Sequence, residues 1–259
     1  MIVSQGASDI TPNLLILGGT TEATMLCRLL YAQNIRATVS FAGRVERPAM
    51  QPIPRRVGGF GGVAGLVAYL REQRITHLID ATHPFAAQMS RNAVTAAANA
   101  CVPLCALTRP PWKHHANDIW YRVPGIEAAV EALRGPAKRV LLAVGRMHLA
   151  AFACNPQHFY LLRLIDPPRQ PLDFPNQAIV LSRGPFDVES DAKLMRAHRI
   201  DLVVCKNAGG SGAFAKIAAA RALELPVLMI DRPALPDRFE VETPCAVIEW
   251  LHQDALRGV

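Results

Sequence analysis

Two glycines, two hydroxyls and a carboxylate, Gly18-Gly19-Thr20-Thr21-Glu22, stand directly behind the apolar run Leu14 to Leu17. Four apolar residues without a polar break read as a strand buried on both faces, and the glycines let the chain turn sharply into a helix beginning near Thr20. A junction of this kind suits an anion. The free N–H groups and positive dipole end of the helix point at the turn, and Gly18 and Gly19 put no side chain in the way. The full G-x-G-x-x-G spacing is absent, so an ordinary strand-to-helix turn is the competing reading.

The end of the next predicted strand, Arg36 to Phe41, favours the phosphate. In dinucleotide-binding folds an acidic residue about 20 positions beyond the glycines accepts the ribose 2′-OH, whereas a basic residue suits a 2′-phosphate. Here the chain reads Ser40-Phe41-Ala42-Gly43-Arg44-Val45-Glu46-Arg47. No acid closes the strand, and arginine forks bind phosphate bidentately. The pattern points to NADP(H), held by Ser40, Gly43 and Arg44, against a solvated turn.

Three further stretches carry chemistry. Around Gly59, Phe60 and Gly61 a glycine-rich loop can pass close to a flat ligand, with Phe60 covering an aromatic ring, although glycine-driven strand-helix packing explains it equally. His77 to Asp80 is a buried strand followed by Thr82-His83-Pro84-Phe85, where Pro84 suits the first turn of a helix running to about Ala100. Ligands of open α/β sheets bind beyond the carboxyl ends of strands. His83 is therefore a candidate ligand contact, against a structural role at the turn. In Arg109-Pro110-Pro111-Trp112-Lys113-His114-His115 the prolines exclude helix. Arg109, Trp112 and Lys113 together can hold a flat anion, while the adjacent histidines diverge and have no companion ligands, so no metal is assigned.

Strands and helices alternate along 259 residues, enough for one large α/β domain or two smaller ones. A turn-rich basic patch, Arg134 to Lys138, precedes a restart of the pattern at Arg139 to Val144. The expected division is 1–134, a dinucleotide-binding domain, and 135–259, a second α/β domain. A predicted strand at Asp201 to Cys205 leads into Lys206-Asn207-Ala208-Gly209-Gly210-Ser211-Gly212 and a helix with Lys216 in its early turns, repeating the opening logic as a second anion site. Arg146, Arg163, Arg183, Lys206 and Lys216 are the cations available to line it, about half of them expected to be ordinary surface residues.

The balance of 28 Lys+Arg against 21 Asp+Glu, net +7, favours an acidic partner. Because the basic residues are scattered and aromatics make up 6%, a small polyanion is favoured over nucleic acid. The six cysteines form no C-x-x-C pair and fall mostly in apolar contexts, which reads as reduced thiols in the cytoplasm. Met1 to Asn13 has no signal-peptide pattern, and no apolar run approaches the roughly 18 residues of a membrane span. The oligomeric state stays open, a monomer included.

No Tyr-x-x-x-Lys pair follows any of the four tyrosines, and no G-x-S-x-G elbow occurs. What remains is a reductase whose dinucleotide carries the chemistry, or a binding protein without turnover. GGTTEA, SFAGRV, VGGFGG, IDATHPFA, KNAGGSG and PVLMIDRP, in order from about residue 14 to 233, together resemble the precorrin-6A reductase family of cobalamin biosynthesis. The resemblance implies two Rossmann-like α/β domains with mainly parallel sheets and a ligand cleft between them. It implies NADPH-dependent reduction of a macrocycle double bond in precorrin-6A, whose many carboxylates would account for the positive charge. By the same resemblance, Gly18 to Glu22 lie along the pyrophosphate and nearby ribose, Ser40, Gly43 and Arg44 at the 2′-phosphate, and Thr82 to Phe85 near the nicotinamide, with His83 as proton donor or positioning group. Arg109, Trp112, Lys113, Arg146, Arg183, Lys206, Asn207, Ser211 and Lys216 are the expected substrate contacts. The cobalt-containing reaction and a non-catalytic dinucleotide or tetrapyrrole carrier are the alternatives. Residues 234 onward carry no recognisable signature.

Overall fold

The computed structural model describes residues 11–42, 50–168, 170–182, 184 and 186–257. In chain order the elements are β1 (Asn13–Leu17), α1 (Thr21–Ala32), β2 (Arg36–Phe41), β3 (Arg55–Val57), α2 (Gly62–Glu72), β4 (His77–Asp80), α3 (Ala87–Ala100) and β5 (Leu104–Leu107). There follow β6 (Trp120–Val123), α4 (Ile126–Glu131), β7 (Arg139–Ala143), a 3-10 helix (Arg146–Phe152), β8 (Phe159–Leu164), β9 (Gln177–Leu181) and α5 (Val188–Ala197). The chain ends with β10 (Leu202–Lys206), α6 (Ala215–Ala222), β11 (Val227–Ile230), β12 (Phe239–Val241) and α7 (Pro244–Arg257). Among the described residues no helix is long and apolar enough to cross a membrane.

The strands form two six-stranded sheets, one in each of two units, and every pairing is parallel. The first sheet runs β12-β5-β4-β1-β2-β3. Its central strand explains the apolar run at the start of the chain. Leu14 and Ile16 pack against α1 and α7, whereas Leu15 and Leu17 face α2 and α3. A strand covered by helices on both faces has no solvent side to leave polar. In α1 the buried positions Ala23, Leu26, Cys27 and Leu30 recur at the helical period and supply the matching stripe.

Five crossover helices stop in the same way. Asn34, Arg74, Cys101, Arg199 and Glu224 each have φ between 49° and 56°. The next residue, Ile35, Ile75, Val102, Ile200 or Leu225, sends its N–H back into the last turn at 2.8–2.9 Å. This Schellman geometry caps the helix and places an apolar residue one or two positions before the next strand.

The second sheet runs β6-β11-β10-β7-β8-β9. The restart at Arg139 is its first central strand, but the domain boundary lies elsewhere than residue 134. One unit comprises the chain to Arg109 together with Ala234 onward, and the other is Pro110–Pro233. β6 precedes the restart yet pairs with β11, Trp120 opposite Val227, and β12 returns from the far end of the chain to pair with β5, Phe239 opposite Cys105. Edge pairing is a backbone contact between distant segments, so neither joining shows in local composition.

One helix start also differs from expectation. Pro84 lies in a turn closed by the Ala86 N–H donating to His83 O at 2.7 Å, and α3 begins only at Ala87.

Candidate active site

In the first sheet the chain leaves β1 in one direction through β2 and β3, then resumes on its other side with β4. The carboxyl ends of β1 and β4 therefore flank the point where the strand order reverses, the usual ligand position in such sheets. Gly18 to Glu22 follow one of these ends and Ala81 to Phe85 the other. The Ala81 N–H donates to Leu17 O at 2.9 Å. Thr20 completes the join: as N-cap of α1 its Oγ1 accepts from the Ala23 N–H at 3.1 Å and donates to Ala81 O at 2.9 Å.

The two glycines are required for different reasons. A Cβ on Gly18 would stand 2.8 Å from Val39 Cγ2, so the close approach of β2 forbids it. Gly19 has φ of 126°, and a Cβ there would meet nothing within 4 Å. Open space beside a left-handed backbone at a helix N-terminus fits a pyrophosphate. Thr21 opens α1, and the Glu22 carboxylate accepts from Arg109 Nη1 at 2.9 Å.

At the end of β2, Ser40 is 5% exposed and its carbonyl accepts the Gly18 N–H at 2.9 Å. Its hydroxyl is met by a residue the sequence reading passed over, Arg56 in the short strand β3. Arg56 Nη1 donates to Ser40 Oγ at 2.8 Å and to Gly58 O at 2.9 Å, while Nη2 donates to Gly59 O at 3.1 Å. The guanidinium lies 3.8 Å from the Phe60 ring centroid, and Phe60 stands edge-on to Tyr69. Phe60 thus packs on protein groups, and Gly65 admits it: a Cβ there would collide with Phe60 O at 1.7 Å. Gly43 and Arg44 lie outside the described residues.

At the end of β4, Asp80 anchors the histidine loop. Its Oδ1 accepts from the Thr82 N–H at 3.1 Å and from Thr82 Oγ1 at 2.7 Å, and its Oδ2 accepts from Arg238 Nη1 at 2.6 Å. Sequence reasoning missed Arg238 because it lies in the stretch without a signature. The Phe85 N–H donates to His83 Nδ1 at 3.2 Å, so the neutral ring carries its proton on Nε2.

The second sheet reverses its order between β7 and β10, and their carboxyl ends carry Gly145-Arg146 and Lys206-Asn207. Arg146 and Ser211 are exposed and Lys206 half-buried. Three other expected contacts have protein partners within the second unit. Trp112 is buried, its N–H donating to Asn207 Oδ1 at 2.7 Å and its Nε1 to Gly210 O at 2.6 Å, while Asn207 Nδ2 donates to Trp112 O at 3.1 Å. Lys216 is buried with Nζ 4.7 Å from the indole centroid. Gly209, at φ of 71°, lets Pro110 O approach to where a Cβ would be 2.1 Å away. These contacts pin the glycine-rich turn onto the loop of Pro110 and Trp112. Arg109 pairs with Glu22 in the first unit, while in the second Trp112 is core and Lys113 is exposed. Arg163 is likewise a buried partner of Asp191. Arg183 lies outside the described residues.

Two parallel sheets of this strand order, with a glycine turn fit for pyrophosphate at the switch point of the first, define a doubly wound, Rossmann-like α/β protein. Residues 13–252 match the model of the family described as "Precorrin-6x reductase CbiJ/CobK". The chain is 54% identical to a precorrin-6A reductase of Rhodobacter capsulatus over 95% of its own length and 99% of that protein's. It is 30% identical to a cobalt-precorrin-6A reductase of Salmonella typhimurium, over 85% and 88%. A solved structure titled "CobK precorrin-6A reductase" matches with a TM-score of 0.90 at 54% identity, covering 93% of this chain and 96% of that one. The chain belongs to the precorrin-6x reductase family.

Proposed function

We propose that this chain catalyses the NADPH-dependent reduction of a macrocycle double bond of precorrin-6A to give precorrin-6B in cobalamin biosynthesis. The observation that carries the reading is the open, left-handed Gly19 at the sheet's switch point in a chain whose family is one of reductases. The metal-free substrate is supported over the cobalt-containing one by the higher identity to a relative named for the former, 54% against 30%.

When bound, NADPH supplies the hydride. The backbone at Gly18 and Gly19 and the α1 N-terminus hold the pyrophosphate, with Thr20, Thr21 and Glu22 beside it. Ser40, with Gly43 and Arg44, binds the 2′-phosphate, and the loop of Gly59, Phe60 and Gly61 borders the adenosine. Thr82, Pro84 and Phe85 shape the nicotinamide side, fixed by Asp80, and His83 holds a proton at Nε2 for the carbon next to the one reduced. Arg146, Lys206 and Ser211 at the second switch point bind substrate carboxylates, which sets the reacting face by alignment. A cytoplasmic site of action belongs to the same reading, since all six cysteines are free thiols.

The test is NADPH oxidation by purified protein supplied with precorrin-6A or, separately, its cobalt complex. Oxidation with precorrin-6A supports the proposal. Turnover of the cobalt form alone moves the chain to the anaerobic reaction, and tight NADPH binding with neither substrate turned over makes it a carrier.

A further inference from the structure

Ser40 and Arg56 meet at the one position in the first sheet where ribose recognition is decided, the carboxyl end of β2. A guanidinium nitrogen can only donate, so at 2.8 Å the Ser40 oxygen is the acceptor, and the hydroxyl's own proton is directed to a second partner. Three of the five N–H donors of Arg56 go to Ser40 Oγ, Gly58 O and Gly59 O, all neutral oxygens, and no ion pair of Arg56 occurs among the described residues. Stacking on Phe60 at 3.8 Å holds the group in place. The result is a buried hydroxyl preset as a donor beside a fixed positive charge.

That arrangement favours one ribose over another. A free 2′-OH can accept the Ser40 proton, since a hydroxyl both donates and accepts, but it brings no charge to meet the guanidinium. A 2′-phosphate offers only acceptor oxygens and negative charge, and charge-assisted bonds to it are the strong kind. Resting on the NADPH reading above, we infer that Arg56 is a specificity-determining residue: it selects the 2′-phosphorylated dinucleotide by fixing Ser40 as a donor and by its own charge. A clamp that merely closed the glycine loop would affect both nucleotides alike.

The experiment is calorimetric titration of the full chain with adenosine 2′,5′-bisphosphate and with 5′-AMP, independent of turnover. Arg56→Gln is expected to lose about tenfold or more in affinity for the bisphosphate while 5′-AMP binding stays nearly unchanged. Ser40→Ala, which leaves Arg56 in place, is expected to lose part of the same preference. Retained preference in Arg56→Gln, or equal weakening of both nucleotides, overturns the assignment. Should Arg56→Gln fail to fold, Ser40→Ala decides, and an undiminished preference there overturns it. Wild-type protein without any preference for the bisphosphate overturns the NADPH reading itself.

Discussion

Arg238 reaches across from the end of the chain to place Nη1 2.6 Å from Asp80 Oδ2, both side chains almost fully buried, at 7% and 1% exposure. The same carboxylate holds the backbone and hydroxyl of Thr82, so the histidine loop of the candidate site depends on a residue 158 positions away. Removing one partner of a buried pair leaves an uncompensated charge. Arg238→Met is expected to cost about 3–5 kcal/mol in denaturant unfolding. The double variant with Asp80→Asn should recover part of that loss, and a single variant as stable as wild type would mean that the pair does not anchor the loop.

His83 is expected to act on turnover rather than on cofactor affinity. His83→Ala should lower the rate of NADPH oxidation with precorrin-6A by roughly 100-fold or more, the scale of a lost general acid, with NADPH binding nearly intact. Unchanged turnover would confine His83 to accepting the Phe85 N–H and closing its turn.

His77 makes stability depend on pH. Burial holds its ring below the ordinary value of 6.5, against the opposing hydrogen bond and charge of Asp254. The unfolded chain then takes up a proton at higher pH than the folded chain does. The stabilisation of the neutral ring is present above the unfolded value and is lost as pH falls from there through the folded one. Thermal unfolding should shift downward between about pH 7 and pH 5, and His77→Gln should flatten that slope. An equal slope in the variant would assign the dependence to other groups.

The thiols divide into two classes. Cys101, Cys154 and Cys245 are exposed, whereas burial pushes Cys27 to about 11, Cys105 to about 12 and Cys205 to about 11. Thiolate is the reactive form. A disulfide reagent at neutral pH should therefore modify three thiols in the folded protein and the other three only on unfolding. Prompt reaction of a fourth would show that one of the sheet or helix cores opens readily.

The elements around the first switch point were legible because each is encoded locally. Leu14 to Leu17 had to be a two-sided buried strand, and Gly18-Gly19 before Thr20 had to turn and cap, since apolar runs, glycines and N-cap hydroxyls act on neighbours only a few residues away. The protein partners of Phe60, Trp112, Asn207 and Lys216 were not legible for a complementary reason. An aromatic or basic residue beside glycines shows its chemistry in one dimension, and only packing reveals that Arg56 lies against Phe60 or that Asn207 and Gly210 hold Trp112.

By itself the sequence determined the central strands and the helices between them, both glycine turns and the basic character of the chain. Tertiary structure decided which segments complete each sheet and which charges meet at its switch point. The joining of β6 to β11 and of β12 to β5, the bond from Arg56 to Ser40 and the pair of Arg238 with Asp80 all link separate segments of the chain. The short strand β3 and the edge strand β12 have too few apolar residues to mark themselves. Their positions follow from backbone hydrogen bonds left open at a sheet edge, and those exist only once the central strands have assembled.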